Sequence, residues 1–313
     1  MIAGLAHVGL RVVDLGEASA RWCAQFGLHE VGRADGRATL ACDDEPCAIE
    51  LLDAAGQEPG HDHTTWRLRT GVSLEDAAAR LAGAGVETRR EKDAIWCEDP
   101  EGQRLKLIPA RTGLTGWTSF ARAPSGAPLG HPRRLGHVNF LTGRLEEQIA
   151  FHTEVLGFAL TDHLGEDAAW LRVGGLHHEL AFVRPRAGQE PRLHHLALDV
   201  VDVGQMRMTM DHLGRHGRWL SWGPTRHGVG GNIASYVRIT EEPLHVELYC
   251  DMELIEADHR PRVWPDDRFS SNTWGPLPPR SYFRFDAAAI ASERDSLETR
   301  GVPLPDPSEP ARP

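Results

Sequence analysis

Apolar residues alternate with other residues over Ala6-His7-Val8-Gly9-Leu10, and again over His137-Val138-Asn139-Phe140 in the similar stretch that starts at Leu135. Alternation with a period of two predicts half-buried strands. Leu5 to Val13 therefore reads as a strand, and Leu15 to Phe26, closed by Gly27, as a helix. Ala38 to Ala41 and Ala48 to Leu52 read as further strands. A second unit opens at Thr65 to Arg69. Its helix starts at Ser73, with Asp76 placed for a capping box, and Gly85 supplies a left-handed stop. Strands at Ala94 to Glu98 and Arg104 to Ile108 follow. Each unit reads as βαβββ, so the expected class is α+β.

The pattern is duplicated. An offset of 130 residues relates His7 to His137 and Phe26-Gly27-Leu28 to Leu156-Gly157-Phe158. Ala55-Gly56-Gln57-Glu58-Pro59 recurs letter for letter as Ala187-Gly188-Gln189-Glu190-Pro191, at an offset of 132. The predicted layout is an N-terminal domain over 1–112, a Gly/Pro/Ser-rich linker over 113–134, a second domain over 135–252, and an extension over 253–313. The extension has no partner in the repeat. It carries Trp264, Trp274 and a run of Pro, then a strand candidate from Ser281 to Phe285 and a helix candidate from Asp286 to Thr299. Residues 303–313 are expected to be disordered.

Carrying the 130-residue offset from His195 lands on Thr65, and aligning the last strands sets Lys106 against Glu247. The second copy then offers His137, His195 and Glu247, whereas the first offers His7, Thr65 and Lys106. An ammonium at a ligand position repels a divalent cation. The first copy is expected to be a scaffold whose metal site is lost.

Composition narrows the function. The chain has 313 residues, a 41% hydrophobic and 25% charged composition, and a formal net charge of −11. With no dense Lys/Arg run, nucleic acid is not expected as the main partner. No apolar stretch approaches the roughly 18 residues of a membrane span. The first residues run straight into a strand pattern without a charged leader. The five cysteines are odd in number and scattered, which suits a reducing cytoplasm and shows no zinc-type pairing.

Two imidazoles and one carboxylate suit a divalent first-row metal, with open positions left for substrate and dioxygen. Glu247 stands between Val246 and Leu248, so its side chain is expected on the face opposite theirs. Read singly, each of these residues has a plainer reading: His137 and His195 as strand histidines in a chain of 17 His, Glu247 as an exposed-face carboxylate.

Together, Gly136-His137-Val138, His194-His195-Leu196-Ala197 and Val246-Glu247-Leu248-Tyr249 resemble the type I extradiol ring-cleaving dioxygenases of the vicinal oxygen chelate superfamily. The resemblance spans about residues 4–285. It implies two domains of paired βαβββ modules and Fe(II), or alternatively Mn(II), held by His137, His195 and Glu247. It implies a catechol-type substrate cleaved by O2 beside the diol to a muconic-semialdehyde-type product, and a homo-oligomer, dimer or tetramer. His178, in the pair His177-His178, matches the family's acid–base. His227 and Tyr236 match residues that hold the substrate oxygens and the oxygen adduct. His194 is expected to support the site rather than ligate. The turn before the Glu strand departs from the family's Asp-Pro-x-Gly and reads Glu241-Glu242-Pro243-Leu244.

Two rivals follow from the same modules. A glyoxalase- or isomerase-like metalloenzyme would hold a different metal, commonly nickel or zinc, by ligands from two modules, often with two Glu, and a non-catalytic binding or resistance protein would typically lack the triad. A serine nucleophile elbow is absent, and Gly228-Val229-Gly230-Gly231 lacks the context of a phosphate loop. Within the extension, Arg260, Arg262 and Arg280 are candidates to meet a substrate carboxylate, Trp264 and Trp274 to wall an apolar pocket. The segment 253–285 is placed either to cover the substrate mouth or to pack against the sheet's outer face.

Overall fold

Strand β1 (Ile2–Val12) is buried along most of its length because it lies at the centre of its sheet, between β4 (Ile49–Asp53) and β5 (Gly60–Leu68). A computed structural model describes residues 1–279 except 44, 112–120, 123–127 and 187–188. Helix α1 (Leu15–Phe26) starts where the Asp14 carboxylate accepts from the Gly16 and Glu17 amides, and stops at Gly27 in the left-handed region. Its buried positions Ala18, Trp22, Gln25 and Phe26 recur at helical spacing. Strands β2 (His29–Ala34) and β3 (Arg37–Ala41) complete the first module. Helix α2 (Leu74–Gly83) carries the Ser73/Asp76 capping box, and Gly85 behind it has a φ of 74°. Strands β6 (Arg89–Glu91), β7 (Ala94–Glu98) and β8 (Arg104–Ile108) follow. The eight strands run β2-β3-β4-β1-β5-β8-β7-β6, two βαβββ modules joined antiparallel through β1 and β5.

A short β9–β10 ladder (Ala121–Arg122 with Pro128–Leu129) lies between this sheet and the next. The second sheet repeats the plan. Its centre is β11 (Arg134–Leu141) against β15 (Arg192–Asp199), flanked by β14 (Leu180–Val183) and β18 (Leu244–Cys250). Outward lie β12 (Ala159–Leu164) and β13 (Ala168–Arg172) on one side, β16 (Leu220–Arg226) and β17 (Ile233–Ile239) on the other. The helix after β11 begins as α3 (Leu145–Ala150) and widens into a π-helical turn over Phe151–Leu156. Helix α4 (Val203–Arg215) occupies the second crossover. From the extension, β19 (Arg262–Trp264) adds to the β12 edge in parallel, and α5 (Arg268–Ser271) follows. The strand and helix expected over 281–299 and the disorder over 303–313 lie outside the described residues, as does most of 113–134. The mixed two-sheet architecture is the expected α+β class.

One expectation is corrected by the register. Thr65 is not the counterpart of His195. His7 pairs with Thr65 and Gly9 with His63 in the first sheet, whereas His137 pairs with Ala197 and Asn139 with His195 in the second. Thr65 therefore corresponds to Ala197, and His63 to His195. The segment between the central strands is two residues longer in the second copy, the shift already visible in the 132-residue offset of the Ala-Gly-Gln-Glu-Pro repeat. Lys106 does correspond to Glu247, since Thr65 pairs with Lys106 and Ala197 with Glu247.

The sheets share one continuous apolar core. Trp66 of the first meets Phe158 of the second edge-on at 4.9 Å. The turn that departs from Asp-Pro-x-Gly has a structural use. Glu242 is buried and receives Arg21 at 2.6 and 3.1 Å and the Trp22 indole at 3.3 Å, all from α1. Across the turn, Ile239 still pairs with Leu244, so the register of the following strand is unbroken.

Candidate metal centre and cavity

Three adjacent strands of the second sheet bring His137, His195 and Glu247 together. In β11, β15 and β18, His137, Ala197 and Glu247 lie in one row, and His195 stands two residues before Ala197. Val246 and Leu248 pack into the core, so Glu247 projects to the other face, as the alternation requires. One ligand atom from each of the three residues lies within 4.8 Å of the others. His137 Nε2 is 2.9 Å and His195 Nε2 3.2 Å from the same Glu247 oxygen. All three side chains are buried. Burial alone raises a carboxylate, but the two imidazoles hold Glu247 well below its usual range. Burial pushes His195 down, towards the neutral form that ligates. A buried carboxylate with two imidazole nitrogens converging on it is a ligand set that a divalent first-row cation fits.

Neighbouring groups orient these side chains. The Asn232 amide donates to the other Glu247 oxygen at 2.9 Å. His194 and His195 meet through their Nδ1 atoms at 2.9 Å, and His194 stacks on His245, as fits a supporting rather than ligating role. Gly136 is needed for close packing: a Cβ there would fall 1.9 Å from the Tyr249 hydroxyl.

A cavity of about 330 Å3 opens over the triad. Its wall includes His137, His195, Glu247, His178, His227 and Tyr236, so the six residues expected at the site share one cavity. The His178 ring lies against His137, tilted by 56° with ring centroids 4.3 Å apart. Its Nδ1 meets His177 Nδ1 at 2.9 Å, and His177 Nε2 meets Asp162 at 2.9 Å. Since Asp162 accepts the Nε2–H of His177, a neutral His177 offers a lone pair at Nδ1. His178 then donates from Nδ1 and keeps a lone pair on Nε2. Burial and the neighbouring imidazoles push His178 well below its usual value. His177 does not line the cavity.

His227 and Tyr236 act as a pair. His227 Nδ1 is 3.0 Å from the Ser271 carbonyl, to which it must donate, so its Nε2 accepts the Tyr236 hydroxyl at 2.7 Å. Tyr236 lies directly across the ladder from Glu247 and stacks on Trp222, centroids 4.9 Å apart.

The extension takes part in the site differently from expectation. Arg262 and Trp264 do not face the cavity; both bind the buried Asp162 carboxylate, at 2.8 Å from Arg262 Nη2 and 2.8 Å from the Trp264 indole. Burial acts to raise Asp162, but His177, Arg262 and Trp264 hold it well below the carboxylate range. Arg260 and Trp274 also stay off the wall, and Arg280 lies outside the described residues. Asp266, Ser270, Ser271 and Pro278 do line it, so part of the mouth is built by this segment. Asn232 and Asp162 carried no signal in the sequence, because their roles arise from contacts 15 residues away.

Residues 134–243 match the model of the Glyoxalase/Bleomycin resistance protein/Dioxygenase superfamily. The chain is 26% identical over 306 residues to metapyrocatechase 2 of Cupriavidus necator, covering 90% of this chain and 92% of that one. It is 25% identical over 296 residues to an iron-dependent extradiol dioxygenase of Rhodococcus jostii, covering 82% and 92%. A manganese-bound glyoxalase from Novosphingobium aromaticivorans shares the fold, with a TM-score of 0.78 at 22% identity over 89% of this chain and 93% of that one. Residues 134–243 thus form a domain of the Glyoxalase/Bleomycin resistance protein/Dioxygenase superfamily, and over most of its length the chain is similar to proteins named as extradiol dioxygenases.

Proposed function

We propose that this protein cleaves a catechol-type ring with dioxygen, outside the diol, at an Fe(II) centre held by His137, His195 and Glu247. The observation that supports this reading best is the single cavity in which the buried triad, a lone-pair imidazole at His178 and the His227–Tyr236 pair face one another. Bound ferrous iron would supply a place where the diol and dioxygen meet and exchange electrons, which removes the spin barrier to their direct reaction.

The protein's own groups do the rest. The lone pair on His178 Nε2 takes a proton from a diol hydroxyl as the substrate binds, and returns one as the ring opens. The Asp162–His177 chain fixes the His178 tautomer throughout. The Tyr236 hydroxyl, whose proton is held by His227, accepts a hydrogen bond from a substrate hydroxyl. Trp222 and Val229 give the diol ring apolar surface, and the segment around Ser270 limits water at the mouth. Both oxygen atoms enter the product, a muconic-semialdehyde-type chain. The five free cysteines fit a reducing cytoplasm, and we propose a homo-oligomer. Among the described residues no helix is long and apolar enough to cross a membrane.

The test is metal content beside product formation. His137→Ala, His195→Ala and Glu247→Ala should each lose bound iron and ring cleavage together. Full iron retention in Glu247→Ala overturns the ligand assignment. An iron-loaded wild type that isomerises a thiol adduct, and leaves catechol intact, supports the glyoxalase-like rival instead.

A further inference from the structure

The N-terminal sheet contains a second group of two His and one Glu that the reaction does not use. We propose that His7, Glu50 and His63 form a second divalent-cation site, with the carboxylate supplied from β4 instead of β8. One ligand atom from each of the three lies within 4.8 Å of the others.

The imidazole pair is preserved between the sheets. His7 and His63 stand edge to face with centroids 5.7 Å apart and planes at 84°, while His137 and His195 stand at 5.6 Å and 78°. What differs is the anion. Lys106 holds the row of Glu247, and its ammonium lies over the Trp96 ring at 5.3 Å. Glu50, which pairs with Gly9 in β1, takes the place that Ala181 holds opposite Asn139 in the second sheet. The carboxylate has thus crossed from one flank of the His pair to the other.

The site is built rather than incidental. His63 is fully buried, and Asp62 at 2.8 Å from its Nδ1 fixes the ring. A carboxylate behind one imidazole nitrogen orients the other towards a metal. That other nitrogen, Nε2, lies 3.4 Å from Glu50 Oε2, and neither atom has a hydrogen-bond partner. Gly9 makes room for the ring: a Cβ there would sit 2.3 Å from it. The Thr65 hydroxyl, 2.9 Å from His7 Nε2, adds an oxygen where the second sheet has only Ala197. Two imidazoles, one carboxylate and a position left for water suit a tetrahedral or five-coordinate first-row ion such as zinc. The plainer reading is a His63 ring held between the Asp62 and Glu50 carboxylates by polar contact alone, with no affinity for metal.

Cobalt(II) distinguishes the two readings. The full-length chain is stripped with chelator and titrated anaerobically with Co(II), and the bound equivalents are read by elemental analysis and visible absorption. Wild type should bind two equivalents. Glu50→Gln and His63→Gln should each bind one, and Glu247→Gln should also bind one, now assignable to the N-terminal sheet. Lys106→Met should tighten that equivalent by removing a like charge, a gain of affinity that a folding defect cannot imitate. A single equivalent in wild type that disappears in Glu247→Gln overturns the proposal, as does a second equivalent that survives in the Glu50→Gln/His63→Gln double variant.

Discussion

His177 and His178, neighbours in sequence, meet through their Nδ1 atoms at 2.9 Å, and only His178 reaches the cavity. The chain Asp162–His177–His178 therefore sets which nitrogen of His178 carries its proton. His178→Asn should retain the metal and lose ring cleavage by on the order of 10²–10⁴-fold, the usual contribution of a positioned acid–base. His177→Phe should cost less and shift the pH profile of kcat, because the His178 tautomer is no longer fixed. Steady-state rates from pH 5 to 9 check both, and an unshifted profile in His177→Phe removes the relay from the account.

Asn232 touches the Glu247 oxygen that the histidines do not. Asn232→Leu should weaken metal binding by roughly 10–100-fold, the range for a group that orients a ligand. A competitive titration against a chelator measures this directly. An affinity within twofold of wild type would show that the carboxylate is oriented by the histidines alone.

Arg21 is the main cationic partner of Glu242, and the pair ties α1 to the turn before the Glu247 strand. Arg21→Met leaves that buried carboxylate with only the Trp22 indole, and should destabilise the protein by about 3–5 kcal/mol. Urea denaturation gives the value. The double variant Arg21→Met/Glu242→Gln should recover part of it, because the stranded charge is gone.

His152 is enclosed by Phe151, Phe158 and Phe182, and burial lowers its pKa to about 4. The folded value lies below the ordinary value of 6.5, so its contribution to stability is complete above pH 6.5 and lost as pH falls towards 4. The loss should reach on the order of 3 kcal/mol, since each tenfold change in proton affinity is worth about 1.4 kcal/mol. Denaturation midpoints of wild type and His152→Leu, compared at pH 7 and pH 4.5, isolate this contribution: the variant should lose less stability than wild type over that interval.

The triad was legible because His137, His195 and Glu247 sit on the central strands of the second sheet. Alternation placed Glu247 opposite its apolar neighbours, and the repeat placed His137. Strands β2 and β6 were not legible, since every residue in both is exposed and no alternation arises. Asp162, Asn232 and Glu242 matter through partners distant in sequence, and no local pattern encodes such contacts. His63 was missed for a different reason: the 130-residue offset was carried across a two-residue insertion that the Ala-Gly-Gln-Glu-Pro repeat had already revealed.

The central claim is that the cavity over His137, His195 and Glu247 couples dioxygen to ring opening. The most direct measurement is oxygen uptake by the Fe(II)-loaded protein across a panel of substituted catechols, with ring-opened product counted beside it. The account predicts one O2 consumed per ring opened for at least one catechol, and no uptake above background in Glu247→Gln. Iron-loaded wild type that consumes no oxygen with any of the panel, or a Glu247→Gln variant that matches wild type, would contradict it.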